Sequence, residues 1–125
     1  KLNDRSERAL KGVHPDLVKV VRRAAAITKA EFIVTEGLRT VARQKELVAA
    51  GASKTMKSRH ITGHAVDLGA WVDDQVDWSW PLYGKIADAM KAAAAELKIP
   101  IEWGGDWTTF RDGPHFQLPW KDYPV

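Results

Sequence analysis

The 125-residue chain contains no cysteine, and this absence limits the chemistry that is open to it. Disulfides, zinc ribbons, iron–sulfur clusters and thiol nucleophiles are excluded, so any metal must be held by His, Asp or Glu. The chain also has no apolar run that approaches the roughly 18 residues of a membrane span. Its N-terminal residues lack the apolar core of a secretory signal. We therefore predict a chain that does not span a membrane.

The residues that are present have the composition of a globular domain. Hydrophobic residues make up 45% of the chain and charged residues 28%, which argues against disorder, and the length fits one domain. The net charge of +3 is a mild bias toward anionic partners, which an ordinary solvated surface explains equally well. Six tryptophans are many for this length, and we expect some of them to line a cleft.

The spacing of apolar residues predicts the element order helix, helix, strand, helix, strand, helix, strand, strand. Ser6 is predicted to cap a first helix that runs to about Lys11, and Pro15 to begin the second helix. The other predicted segments are a strand over 31–35, a helix over 41–50, a loop over 51–62, a strand over 64–70, an irregular stretch over 71–80, a helix over 81–98 and strands over 101–103 and 115–118. Short connections before the last two strands predict an α+β fold with a small, mainly antiparallel sheet.

Three of the four histidines lie in two clusters with carboxylates. A helix through the first cluster would place His60 and His64 on one metal, although the glycine and β-branched residues there disfavour a helix. In an extended segment Asp67 and a folded-back His60 would instead meet His115 from a neighbouring strand. Two histidines and one carboxylate are typical ligands of zinc in a hydrolase. A histidine by itself is more often an ordinary core or surface residue.

Three segments resemble one family. Residues 58–67, SRHITGHAVD, resemble the SxHxxGxAxD signature of the zinc D,D-/L,D-peptidases of peptidoglycan. Residues 36–40, EGLRT, followed by Gln44, resemble a second conserved block of that family. Residues 103–107, WGGDW, and 112–116, DGPHF, resemble a third block in the form that is typical of phage endolysins cutting the L-alanyl–D-glutamate bond.

The resemblance implies a role for each matching residue. One zinc ion per chain would be held by His60, Asp67 and His115. Asp112 would be the catalytic base that activates the attacking water, and Arg39 would stabilise the oxyanion. The remaining candidates would bind substrate, shape the cleft or orient the ligand loop: Ser58, Gln44, His64, Asp106 and Trp107.

The resemblance also implies a compact α+β fold shared with Hedgehog-type domains. We expect residues 1–125 to form one monomeric catalytic domain without a separate wall-binding domain, made in the host cytoplasm and reaching peptidoglycan stem peptides through a separate membrane lesion. The alternatives are a D-Ala–D-Ala carboxypeptidase with the same metal and a non-catalytic cell-wall-binding module. A nucleic-acid partner is not expected, because the basic residues are scattered and form no binding motif.

Overall fold

In the computed structural model, which describes residues 2–53, 55–108 and 111–124, helices pack on one face of an antiparallel sheet. The helices are α1 (Asp4–Ala9), α2 (Pro15–Ile27), α3 (Val41–Ala49) and α4 (Trp80–Leu97). The strands are β1 (Phe32–Glu36), β2 (Ala65–Val72), β3 (Gln75–Asp77), β4 (Glu102–Trp103) and β5 (His115–Gln117), and a 3₁₀ turn at Gly104–Asp106 follows β4. The predicted α+β class with an antiparallel sheet is confirmed.

Strand β2 is the centre of the sheet. The strands lie in the order β1-β2-β5-β4, and β3 pairs with the end of β2. In the antiparallel register, Val34 of β1 lies opposite Leu68, and Asp67 lies opposite His115 of β5. Two strands that are distant in the sequence therefore place their polar residues side by side.

The hydrophobic core lies between helices α2 and α4 and one face of this sheet. Alternate strand residues such as Val34, Leu68 and Phe116 join the apolar residues of α2 and α4 there. Side chains alternate between the two faces of a strand. Asp67 and His115 therefore lie on the opposite face, which the core does not cover.

The start of the first helix differs from the sequence prediction. Asn3, not Ser6, is the N-cap of α1, and its side chain accepts a hydrogen bond from the Ser6 amide at 2.8 Å. Ser6 is fully buried, and its hydroxyl accepts a hydrogen bond from the Val34 amide at 2.9 Å. The serine thus joins α1 to β1, because a buried amide of that strand needs an acceptor.

The stretch 71–80, predicted to be irregular, is largely a β-hairpin. Strand β2 runs on to Val72, which pairs with Gln75 of β3 across the two-residue turn Asp73-Asp74. Both aspartates have positive φ, 52° and 63°. Asp tolerates this conformation better than most residues, and two successive positive φ values suit a two-residue hairpin turn. The prediction was wrong because the pair lacks the glycine that usually marks such a turn.

Among the described residues, none of the helices has the length and apolar character needed to cross a membrane.

Candidate metal and catalytic centre

The fold brings two histidines and one aspartate together on the open face of the sheet. His60 Nε2 lies 3.2 Å from Asp67 Oδ1, and His115 Nδ1 lies 3.3 Å from the same oxygen. One ligand atom from each residue lies within 4.8 Å of the others, and both histidines are buried. Residues 59–63 form turns, so the alternative pairing of His60 with His64 on a helix is not formed.

A backbone carbonyl decides which nitrogen of His60 faces the cluster. His60 Nδ1 lies 2.8 Å from the Gly37 carbonyl oxygen. Because a carbonyl oxygen only accepts hydrogen bonds, Nδ1 carries the proton of the neutral ring. Nε2 then directs its lone pair at the Asp67 carboxylate, which is also an acceptor.

A side-chain amide orients His115 in the same way. Gln117 donates from Nε2 to Glu102 Oε2 at 3.4 Å, which turns its Oε1 toward His115 Nε2 at 2.7 Å. His115 Nε2 therefore donates to Gln117, and its Nδ1 presents a lone pair to Asp67. Three acceptor atoms converge, and a cation between them would satisfy all three. The residues present thus fit a bound metal ion, with the outer hydrogen bonds that metal-binding histidines usually make.

The electrostatics of the cluster favour a positive charge. Burial alone would raise the pKa of Asp67, but when the imidazoles of His115 and His60 are protonated, they donate hydrogen bonds to its carboxylate and carry positive charge, which holds that pKa well below the usual range. Burial opposes protonation of His115, but its pKa is raised because the protonated ring can donate a hydrogen bond from Nδ1 to Asp67 and is attracted by the charge of that carboxylate. Asp67 is therefore an ionised carboxylate, ready to neutralise a cation at this point.

The turn that carries His60 is held by two further residues of the same motif. The Ser58 hydroxyl accepts a hydrogen bond from the His60 amide at 3.2 Å. Gly63 has a φ of +78°, and a Cβ there would lie 2.4 Å from the carbonyl oxygen of Gly12. Only glycine fits both conditions, so Ser58 and Gly63 fix the turn that carries His60.

The loop before β5 places Asp112 beside the cluster. The Asp112 amide donates to the Gly104 carbonyl at 3.0 Å, and the His115 amide donates to the Asp112 carbonyl at 3.2 Å. Trp103 Nε1 donates to the Gly113 carbonyl at 2.7 Å. Burial and the charge of Asp67 raise the pKa of the Asp112 carboxyl. A carboxyl with a raised pKa is suited to both taking up and releasing a proton.

Arg39 lies in the wall of the cleft as part of a polar network. Its Nε and Nη2 donate to the two carboxylate oxygens of Glu36, and its Nη1 donates to Gln44 Oε1 at 2.8 Å and to the Ser58 hydroxyl at 3.5 Å. These bonds use four of the five guanidinium protons. One Nη2 proton has no acceptor among the described residues. Burial and Asp67 raise the pKa of Asp112, and the positive charge of Arg39 opposes that rise in part.

A cleft of about 450 Å³ adjoins the cluster. Its polar lining includes most of the residues predicted from the sequence: Arg39, Ser58, His60, Asp67, Asp112 and His115. The predicted Trp107 also lines it, with its ring centroid 5.2 Å from that of His115. Lys57, Gln117 and Trp120 also line the cleft, although the sequence did not single them out.

Three predicted substrate-binding residues lie outside the cleft lining. Gln44 is fully buried, and its amide nitrogen donates to the Ser53 hydroxyl and the Thr55 carbonyl, so that it holds the loop after α3. Asp106 is exposed and pairs with Lys91 at 2.8 Å. The ring of His64 lies near the rings of His14 and Tyr123. Direct substrate contact by these three residues stays a prediction.

The hydrogen-bond partners of the two histidines, Gln117 and the Gly37 carbonyl, were not predicted from the sequence. Gln117 follows His115 by two positions on a strand, so the two-residue period of strands was an available signal. The Gly37 carbonyl offers no such signal, because it is a backbone atom that lies 23 positions from His60 in the chain.

Comparisons with known proteins place the whole chain among peptidases of one kind. A sequence model of the family described as phage L-alanyl-D-glutamate peptidase matches residues 1–118. The L-alanyl-D-glutamate peptidase of Escherichia phage T5 is 34% identical over 116 residues, which cover 90% of this chain and 85% of that protein. The L-alanyl-D-glutamate peptidase of Listeria phage A118 is 38% identical over 94 residues, 74% of this chain but 32% of that protein.

A solved structure shares the whole fold. The crystal structure of the Serratia marcescens L-Ala D-Glu endopeptidase ChiX superposes with a TM-score of 0.95 at 52% sequence identity. The match covers 100% of this chain and 95% of that chain.

Proposed function

The chain belongs to the phage L-alanyl-D-glutamate peptidase family, and from this membership we propose how its own residues hydrolyse that bond in peptidoglycan stem peptides. The observation that carries the proposal is the convergence of lone pairs from His60 and His115 on the carboxylate of Asp67. Such a centre is typical of a catalytic zinc site with three protein ligands and an open position.

His60, Asp67 and His115 would hold one zinc ion. When bound, zinc supplies Lewis-acid polarisation of the scissile carbonyl and eases the ionisation of water in the cleft. Gly37 and Gln117 keep the two imidazoles in the tautomers that bind metal. This preorganisation spares the site the free energy of reorienting its ligands.

Asp112 is the general base and then the general acid. Its carboxylate takes a proton from the attacking water and passes it to the amine of the departing D-glutamate, which otherwise would leave as an unstable amide anion. The free Nη2 proton of Arg39 is available to the oxyanion, and its other bonds hold the guanidinium in one orientation. A fixed donor of this kind stabilises charge that develops in the transition state.

The remaining cleft residues hold the stem peptide. Ser58 and Trp107 lie beside the metal ligands, where they contact the backbone and side chains around the scissile bond. We place the enzyme in the host cytoplasm before lysis, from which it reaches the cell wall through a membrane lesion made by another protein. Residues 1–125 act as one catalytic domain.

Mass spectrometry of purified sacculi treated with the zinc-loaded protein tests this function. We expect fragments with a new N-terminal D-glutamate, and we expect them to disappear when a chelator removes the metal. Release of free D-alanine without new D-glutamate termini would instead identify a carboxypeptidase. Metal analysis of the purified protein is expected to give about one zinc per chain.

A further inference from the structure

We propose that a second hollow beside the catalytic cleft, bounded by Trp120, binds the muramyl sugar to which the stem peptide is attached. The inference rests on the proposed function, because it takes the cut bond to be the first peptide bond of the stem. The L-alanine of a stem peptide is joined through a lactyl group to the sugar, so the sugar lies one residue from the scissile carbonyl. An enzyme that cuts there must accommodate a pyranose ring immediately next to its catalytic centre.

The hollow adjoins the cleft. It has a volume of about 350 Å³ and shares Lys57, Ser58 and Trp120 with the cleft that contains the metal ligands. This volume is at the lower end of the range of about 300–1,000 Å³ for small-ligand sites. Its other lining residues are Met56, Ile61 and Thr62. A substrate that lies across the metal centre can therefore continue past Trp120 into the hollow.

The Trp120 ring is held in place on one side. The guanidinium carbon of Arg59 lies 4.2 Å from the ring centroid, and Arg59 is itself buried, with 3% exposure. Arg59 donates to the carbonyl oxygens of Leu118, Pro119 and Tyr123 at 2.7–3.3 Å, which fixes the turn that carries the ring. Trp120 nevertheless remains 45% exposed. It is a rigid aromatic platform with surface left for a ligand.

The chemistry of the lining suits a neutral sugar. The C–H face of a pyranose packs on an indole ring and on apolar side chains, and Trp120, Met56 and Ile61 supply these surfaces. The hydroxyls of Ser58 and Thr62 are donors and acceptors for the hydroxyl and acetamido groups of the ring edge. The mixture of a flat apolar face with hydroxyl groups at its side matches the two kinds of surface that a sugar presents.

The opposite side of the substrate fits this hollow less well. The peptide beyond the scissile bond carries several carboxylates, and such a segment calls for cations with fixed geometry. Lys57 is the one cation that lines the hollow among the described residues, and it is exposed. The charged end of the stem peptide is therefore expected to leave the cleft in another direction.

Two substrates that differ only in the sugar test the proposal. They are N-acetylmuramyl-tetrapeptide and N-acetyl-tetrapeptide, hydrolysed by the zinc-loaded full chain. We expect kcat/KM to be about tenfold higher for the sugar-bearing substrate, a factor in the range of one aromatic contact. Trp120→Ala and Met56→Ala are expected to raise KM much more for the sugar-bearing substrate than for N-acetyl-tetrapeptide, so that most of this preference is lost. Trp120→Phe should restore most of it.

Trp78→Ala is the matched control. Trp78 is 58% exposed and lines neither the cleft nor the hollow, so its removal should leave the preference intact. Equal losses on both substrates in Trp120→Ala and Met56→Ala would overturn the proposal, as would a wild-type enzyme with no preference for the sugar.

Binding of the two products gives a readout that does not depend on turnover. In NMR titrations, N-acetylmuramyl-L-alanine should shift the Trp120 indole and Met56 methyl resonances. The proposal is wrong if these resonances move only with the D-glutamate-containing peptide. Absence of hydrolysis of either substrate would refute the proposed function, whereas the product titration would still decide where the sugar binds.

Discussion

At the scale of single residues, the centre depends on hydrogen bonds that face away from it. The Gly37 carbonyl oxygen and the Gln117 amide oxygen each accept a hydrogen bond from one imidazole N–H, and so leave the other ring nitrogen with a lone pair for a metal. Glu102 in turn orients the Gln117 amide. Histidine nitrogens and an aspartate oxygen are common ligand types. The outer hydrogen bonds make them a candidate site, because they orient the lone pairs of the two histidines toward Asp67.

Replacing Gln117 with leucine should therefore weaken the metal site without removing a ligand. His115 would lose the acceptor that selects its tautomer, and loss of such a partner typically lowers metal affinity about 10- to 100-fold. Competition with a chromogenic chelator measures the change. Gln75→Leu, an exposed glutamine of β3, is the control and should bind metal like the wild type. Equal affinities in both variants would contradict the role of Gln117.

Asp112→Ala separates the base from the metal ligands. Loss of a general base typically lowers kcat by about 10²- to 10⁴-fold, and we expect a loss at the upper end because Asp112 acts twice in the reaction. Bound zinc should remain near one per chain, as measured by elemental analysis. Asp88→Ala removes an exposed aspartate of α4 that does not line the cleft and should keep most of the activity. Loss of zinc from Asp112→Ala would assign Asp112 to the metal instead.

At the scale of elements, the centre lies where two loops meet strand β2. The turn before β2 brings His60, β2 itself brings Asp67, and the loop between the 3₁₀ turn and β5 brings Asp112. Gly104, just before that loop, contacts Asp112 near the end of the loop. A Cβ at Gly104 would lie 2.3 Å from the Asp112 carbonyl oxygen. The loop can approach so closely only because this position lacks a side chain.

Two glycine substitutions should therefore have opposite effects. Gly104→Ala forces the Asp112 backbone away and is expected to lower kcat and to cost about 1–3 kcal/mol of stability, as overpacking usually does. Gly84→Ala lies in α4, where a Cβ would meet nothing within 4 Å, and should stabilise the fold by about 0.5–1 kcal/mol. Urea unfolding and kcat on the same preparations measure both effects. A Gly104→Ala enzyme with normal kcat would contradict the proposed contact.

At the scale of the whole molecule, the C-terminal segment is bound to the first half of the chain. The Tyr123 hydroxyl donates to Asp16 Oδ2 at 2.7 Å, which raises the pKa of Tyr123 to about 12. The ring of His64 lies near the rings of His14 and Tyr123, with centroid distances of 5.4 and 6.4 Å. These contacts join residues at opposite ends of the sequence, so they bear on the stability of the entire fold.

The position of His64 predicts how that stability depends on pH. Burial, followed by the positive charge of Arg59 and by His14, lowers the pKa of His64, while a hydrogen bond to Thr62 opposes the shift. Below the ordinary pKa of about 6.5 the unfolded chain takes up a proton at His64 before the native state does, so acid favours unfolding through this residue. Above that pH both states are neutral and the effect vanishes.

His64→Asn should remove this part of the acid sensitivity. The free energy of unfolding in urea, measured at about pH 8 and about pH 5, is expected to fall less for the variant than for the wild type. The comparison uses the difference between the two pH values within each protein, so a constant cost of the substitution cancels. An equal or larger fall in the variant would show that His64 does not contribute in this direction.

The amino-acid sequence determined the chemistry of the centre. The lack of cysteine limits the metal ligands to His, Asp and Glu. The two His/Asp clusters, with the resemblance of three segments to one peptidase family, predict His60, Asp67, His115 and Asp112 as site residues, because ligand types and short spacings are local properties of a chain. Short connections between the last strands similarly determine an antiparallel sheet. The helix starts at Pro15 and Val41 are local signals of the same kind, and the structure agrees with both.

Only the tertiary structure decided which atoms these residues use and which neighbours serve them. The tautomer of His60 depends on Gly37, and that of His115 depends on Gln117 with Glu102. The position of the Trp120 ring depends on Arg59, which lies 61 residues earlier in the chain. The burial of Gln44 and the use of Ser6 as a partner of β1 were likewise decided by packing. Contacts of this kind join atoms that are distant in sequence, and their geometry exists only once the sheet and loops have come together.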